Sequence, residues 1–174
     1  GCLNQPAQQL VTDAGYTWKK ILDSGQWTKS YNFQMCSLKD SLWIFHPEGN
    51  WVSEDGNTWI KTKLPNAINN LAFLDYLPFR KGALGLGHFE CNIERFIFRS
   101  EIVVTTDGRN WNTLSVNSNL PPRFFYHPFV FKDKIWIIGG EDKDRQYADI
   151  WNSEDGIHWT HRADDLPFGR RSNS

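Results

Sequence analysis

The chain has 174 residues, 40% of them hydrophobic and 22% charged, with a net charge of −1. This is the composition of a globular chain with a core of its own, and its charge balance offers no field to draw in nucleic acid or an acidic membrane surface. No apolar run approaches the roughly 18 residues of a membrane-spanning helix.

Nine Trp, twelve Phe and five Tyr stand beside a single Met, with thirteen Gly and eight Pro. Aromatics favour pleated, half-buried surfaces, and Gly and Pro supply turns. One motif recurs along the chain. It appears first, with one residue inserted, as Asp13-Ala14-Gly15-Tyr16-Thr17-Trp18. It returns as Ser53-Glu54-Asp55-Gly56-Asn57-Thr58-Trp59, Thr105-Thr106-Asp107-Gly108-Arg109-Asn110-Trp111 and Ser153-Glu154-Asp155-Gly156-Ile157-His158-Trp159. The four Trp are spaced by 41, 52 and 48 residues, a period of one four-stranded propeller blade. Asp-Gly between two β-patterned runs is a strong hairpin signal, because Gly takes positive φ without strain. The hydroxyl two residues earlier (Ser53, Thr105, Ser153) can bond the turn backbone, and the Trp then covers the hairpin.

A second register interleaves with the first. Cys36–Phe45 aligns with Phe129–Ile138, and more weakly with Leu77–Leu86: a strand, a polar turn, a more apolar strand. Each blade therefore reads strand a, turn, strand b, loop, strand c, Asp-Gly turn, strand d. Leu64-Pro65, Leu120-Pro121 and Leu166-Pro167 follow strand d, where proline ends a strand. The expected fold is all-β, a β-propeller of four-stranded antiparallel blades. Residues 1–29 form a half blade, 30–65 and 66–121 a blade each, and 122–174 a blade with the lead-in to a next strand. Three and a half blades fall short of the usual four to eight, so either the chain is part of a longer protein or copies associate to complete a ring.

The run Pro122-Arg123, Ile135 to Gly140 ending in Gly139-Gly140, Asp149-Ile150-Trp151 and Trp159 resembles the blade of kelch-type propellers, including that of galactose oxidase. Gly87-His88 replaces the double glycine in the middle blade. The Asp-Gly turns also resemble, less closely, those of Asp-box proteins such as sialidases, whose spacing only Asp13 to Trp18 keeps. The resemblance implies the fold; it implies function poorly, since propellers host enzymes, lectins and scaffolds alike.

Cys2, Cys36 and Cys91 are too few and odd in number for a disulfide framework and fit no metal spacing. Cys36 lies in an apolar strand pattern and reads as a small buried hydrophobe. Gly1-Cys2 reads either as the mature end of a bacterial lipoprotein, giving an extracellular or cell-envelope location, or as a cut through a longer chain; a cytoplasmic location stays open.

The b–c and d–a loops of a propeller share one face, usually the working face. The b–c segment of the middle blade, 88–100, reads as a long loop, and long loops are often functional. It carries His88, Glu90, Glu94, Arg95 and Arg99 among Phe89, Phe96 and Phe98. The b–c loop of the last blade holds Glu141, Asp142 and Asp144, which reads as a solvated turn rather than a Ca²⁺ site because it lacks EF-hand spacing and is neutralised by Lys143 and Arg145. Arg123, Arg170 and Arg171 lie at d–a crossings. They could bind a carboxylate; structural salt bridges to neighbouring blades are the stronger expectation. His46 and Glu48 read as closing a hairpin rather than as an acid–base pair. The Tyr, His and Cys set of a copper oxidase finds no matching pattern, and the Tyr, Glu and Asp of a sialidase cannot all be placed. We therefore expect no catalytic residues, no metal and no cofactor. The expected function is a binding or scaffold module for a protein or glycan, or alternatively a carbohydrate-active enzyme or lectin with Trp27 and Trp51 as sugar platforms.

Overall fold

The computed structural model describes residues 17–29, 34–46, 49–62, 75–92, 95–115, 118–164 and 167. The turn at 13–16, Cys2, Glu48, Glu94, Arg170 and Arg171 lie outside them. So do the side chains of residues 88–99.

Among the described residues, twelve strands form three antiparallel four-stranded sheets, each a simple up-and-down meander. Blade 1 comprises β1 (Gln34–Leu38), β2 (Ser41–His46), β3 (Gly49–Ser53) and β4 (Ile60–Thr62). Blade 2 comprises β5 (Asp75–Phe79), β6 (Gly82–Asn92), β7 (Arg95–Thr105) and β8 (Asn112–Ser115). Blade 3 comprises β9 (His127–Phe131), β10 (Lys134–Ile138), β11 (Ile150–Ser153) and β12 (Trp159–Ala163). The inner strands β1, β5 and β9 are neighbours in turn, so the sheets fan outward as propeller blades. No helix occurs among the described residues.

The turns follow their sequences. Lys39-Asp40 and Lys132-Asp133 join β1 to β2 and β9 to β10, and all four residues have positive φ. That conformation matches the twist of the flanking strands. At the three Asp-Gly turns the same bonds recur. The hydroxyl of Ser53, Thr105 or Ser153 accepts the N–H of Gly56, Gly108 or Gly156 at 2.8–2.9 Å. The Asp carboxylate accepts the N–H groups two and three residues on, at 2.7–2.8 Å. The indole N–H of Trp59, Trp111 or Trp159 donates back to the glycine carbonyl, and all three Trp are buried. These bonds favour the ionised acid and hold Asp55 and Asp107 down at about 2. Trp18, in the fourth copy of the motif, is instead 75% exposed.

Alternation along each strand gives every blade two faces. The front face of blade 1 (Cys36, Leu38, Trp43, Phe45, Val52) packs on the back face of blade 2 (Ala83, Val103, Trp111, Tyr76). The front of blade 2 (Leu77, Phe79, Leu84, Leu86, Ile102) packs on the back of blade 3 (Ile135, Ile137, Trp159) and on Tyr126. The back of blade 1 (Ile44, Trp51, Trp59) is covered by Trp27. Cys36 is a buried free thiol in the first of these interfaces, and burial pushes it up to about 11.

The structure corrects one reading. The segment 88–100 is not a loop. After a bulge at Gly87 (φ 64°) β6 continues to Asn92, β7 begins at Arg95, and the register runs on through His88↔Arg99 to Asn92↔Arg95. Five facing pairs past the bulge make a ribbon about 15 Å long. The physical reason is the run of β-forming Phe and Ile residues, which pair across the strands. The register pairs Phe89 with Phe98, Glu90 with Ile97 and Cys91 with Phe96.

A cavity where the d–a and b–c segments of blade 3 meet

The lead-in to β9 and the β10–β11 loop are tied together. Phe124 and Glu141 exchange backbone bonds of 2.9 and 2.8 Å. Gly139 and Gly140 have φ of 64° and 90°, and a Cβ at Gly140 would lie 2.9 Å from the Phe124 carbonyl oxygen. Glycine is therefore required where the two segments cross. Arg123 anchors the crossing and is buried. Its Nη1 and Nη2 bond Asp149 Oδ1 and Oδ2 at 2.6 and 3.1 Å, Nη1 also reaches the Gly139 carbonyl, and Nε reaches that of Pro121. Tyr147 stacks on the guanidinium at 4.0 Å. The expectation of a salt bridge holds, but with a partner in its own blade rather than a neighbouring one. The short d–a link leaves Arg123 under the loop of the sheet it leads into.

The loop itself is built on Asp142. Its Oδ1 accepts the N–H groups of Asp144 and Arg145 at 2.8 and 2.9 Å, and its Oδ2 accepts the Tyr147 hydroxyl proton. The hydrogen bond from Tyr147 holds Asp142 below the usual carboxylate range. Glu141 accepts from Gln146 at 3.2 Å, and Asp144 faces Lys143 on the surface. The three acids hold the turn rather than converging. Among the described residues no group of three or more His, Cys, Asp or Glu is placed to hold a metal ion.

Beside this crossing opens a cavity of about 420 Å³. Pro121 and Arg123 line it from the d–a link, Arg145 to Asp149 from the loop, Trp151 from β11, and His161 and Asp164 from β12 and its end. Asp149 Oδ2 also accepts the Trp151 indole N–H at 2.7 Å, which fixes the indole at the cavity wall. The His161 ring lies 4.9 Å from that of Trp151, and its Nε2 pairs with Asp164 at 3.2 Å. Arg145 is exposed and lies over Tyr147. The cavity thus joins Arg123, found from sequence, to Trp151, Arg145, Tyr147, His161 and Asp164, which sequence reasoning passed over as site residues; Glu141, Asp142 and Asp144 belong to the same loop but do not line it. The available signal was Asp149-Ile150-Trp151: a Trp two residues from an acid on a short strand shares a face with it.

His88, Glu90, Arg95 and Arg99 lie on the ribbon of blade 2, apart from the cavity lining. Trp51 is not a platform: it is 2% exposed, wedged between Ile44 and Trp27. Trp27 packs edge-on against Trp51 and Trp59 at 5.9 and 5.3 Å, so both serve the core. His46 closes the β2–β3 end, buried against Trp51. A second group of polar side chains bridges the inner strands. Gln34 donates to Asp75 at 2.5 Å and accepts from the Tyr76 N–H at 2.8 Å. Burial pushes Asp75 up to about 7.

Three antiparallel four-stranded blades define a β-propeller. No known protein family and no curated protein matches the sequence. Among solved structures, the chain is similar to that of YjhT, with a TM-score of 0.62 and 12% identity over 81% of this chain and 54% of that one. It is also similar to a point mutant of the Bombyx mori GH32 β-fructofuranosidase BmSUC1 in complex with sucrose, with a TM-score of 0.53 and 11% identity over 74% of this chain and 33% of that one. The chain thus spans about half the length of the first and a third of the second. At these identities the likeness establishes the fold alone. Among the described residues no helix is long and apolar enough to cross a membrane.

Proposed function

We propose that this chain is a non-catalytic, kelch-like propeller module that binds a glycan on the face shared by its b–c and d–a segments. The observation that carries the reading is the blade 3 cavity, where a fixed indole, Trp151, stands among hydrogen-bonding groups of both signs. Sugars present apolar C–H faces and a rim of hydroxyls. A site for them combines an aromatic wall with a few positioned polar groups, here Arg145, Gln146, Asp149, His161 and Asp164. Arg123 and the double glycine support the kelch-like reading. The acids favour holding over proton transfer. Asp149 already accepts two guanidinium bonds and an indole bond, and Asp164 is paired with His161.

The test is an array of immobilised glycans probed with the chain and with Arg145→Ala, whose exposed side chain can be removed without opening the core. Retention on a defined set, weakened about tenfold by the substitution, is the expected result. No retention on any glycan overturns the reading, and turnover of a bound glycan replaces it with the carbohydrate-active enzyme. A protein partner on the same face is a second reading, supported by the ribbon His88–Arg99 projecting there. Replacing residues 88–99 with a two-residue turn abolishes capture of such a partner and leaves glycan retention intact.

A further inference from the structure

The junction of blades 1 and 2 and the junction of blades 2 and 3 share one plan and differ at the turns. In both, the Asp-Gly turn of one blade lies over strand b of the blade before it. A Cβ on Gly108 would lie 2.6 Å from the ring of Trp43, so glycine lets the blade 2 turn rest on that indole. A Cβ on Gly156 would lie 3.5 Å from Leu84. Past Gly156 the second junction is closed: Ile157 is half-buried, and Arg80 Nη2 donates to the Glu154 carbonyl at 2.8 Å. Past Gly108 stands Arg109 instead, exposed, with its guanidinium 5.8 Å from the Trp43 ring.

A cavity of about 490 Å³ opens there, within the range of about 300–1,000 Å³ usual for small-molecule sites. It is lined from the a–b and c–d turns, so it lies on the face opposite the blade 3 cavity. Its apolar wall includes Trp43, Val52 and Ile60. Ile60 is particular to blade 1. The strand d residue after the turn Trp pairs as Val52↔Ile60, Val104↔Asn112 and Asn152↔Thr160. Blade 1 thus has an apolar side chain, 60% exposed, where the other two have polar ones.

The polar groups of this cavity fall into two sets. Asp55 and Asp107 are committed to their own turns, each accepting two backbone N–H groups and a hydroxyl. Lys39, Arg109 and Glu54 are exposed, line the same cavity and form no ion pair among the described residues. Two cations and one anion therefore stand unpaired around an apolar wall. A carboxylate would be met by Arg109 and Lys39 through charge-assisted bonds, an ammonium by Glu54, and an apolar side chain by Val52 and Ile60.

We propose that this cavity binds a small zwitterion with an apolar side chain, the chemistry of a free hydrophobic α-amino acid, at a site separate from the blade 3 cavity. The experiment is calorimetric titration of the chain with phenylalanine, leucine, phenylalaninamide (no carboxylate) and 3-phenylpropionate (no ammonium), with Arg109→Ala and Ile60→Asn in parallel. Phenylalanine should bind saturably at one site per chain. Each truncated probe and each substitution should weaken it about tenfold, the size expected for losing one charged partner or one buried apolar contact. The Trp43 indole N–H resonance should move on binding while that of Trp151 stays fixed. Unchanged circular dichroism and thermal midpoint of the variants establish that they fold; Ile60→Asn alters only an exposed side chain and carries the test if Arg109→Ala loosens the junction. No saturable binding of phenylalanine or leucine at millimolar concentration overturns the proposal. Binding of 3-phenylpropionate as tight as that of phenylalanine overturns the zwitterion, and binding untouched by either substitution overturns the location.

Discussion

Blades 1 and 3 carry tryptophan at the same two register positions and treat them in opposite ways. Trp43 and Trp136 both stand on strand b, facing outward to the next blade; Trp43 is buried beneath the Gly108 turn, and Trp136 is half-exposed. Trp51 and Trp151 both stand on strand c, opposite Ile44 and Ile137; Trp51 is sealed by Trp27, and Trp151 opens on the cavity with its indole held by Asp149. The repeat decides which way a side chain points. The neighbouring segment decides whether it becomes core, half-exposed surface or cavity wall.

That division can be broken first at the turn tryptophans, which the repeat alone assigns. Trp159→Ala removes a buried indole packed between blades 2 and 3 and should cost roughly 3–5 kcal/mol, read as the shift in a urea unfolding midpoint. A melting temperature within a degree of the parent would contradict its packing role.

A sharper comparison uses two glycines with the same backbone and different neighbours. Gly56 and Gly108 have φ of 75° and 73°. A Cβ at Gly56 meets only Leu42 at 3.7 Å, whereas at Gly108 it enters the Trp43 ring. Gly56→Ala should cost about 1–2 kcal/mol from the left-handed conformation alone. Gly108→Ala should cost clearly more, because the blade interface must also shift. Equal costs by chemical denaturation would show that the turn does not rest on Trp43.

The smallest expected effect separates acids by their surroundings. Asp55 and Asp107 are lowered to about 2, so the stability they add is present above pH 4 and is lost as pH falls through 2. Asp75 is raised to about 7, so the folded state holds a proton that the unfolded state releases near 3.8, and stability falls as pH rises from 4 to 7. Asp75→Asn should therefore raise the melting temperature by a few degrees at pH 8 and leave it unchanged at pH 3. A loss at pH 8 would contradict burial as the cause.

The architecture was legible because turn chemistry is local. Asp, Gly, a hydroxyl and Trp at fixed offsets specify a bonded hairpin wherever they occur, and all three described copies form it. The ribbon was misread because Gly87-His88 resembles a loop opening, whereas strand pairing further on depends on Phe89 and Phe98 facing each other across the hairpin. The platforms were misplaced for a related reason: Trp51 and Trp151 have the same local pattern, and only Trp27, more than twenty residues away from Trp51, tells them apart. Arg123 was legible as a structural ion pair, but the identity of its partner depended on how the β10–β11 loop folds back over the d–a link.

At the same register position, then, Trp51 is core, and Trp151 lines the cavity as the proposed ligand wall. The direct test is to follow the indole N–H resonances of the ¹⁵N-labelled chain, assigned through single Trp→Phe substitutions, during titration with a glycan retained on the array. The Trp151 resonance should move to saturation while those of Trp51 and Trp59 stay fixed. A titration that shifts Trp51 and leaves Trp151 in place would contradict this assignment.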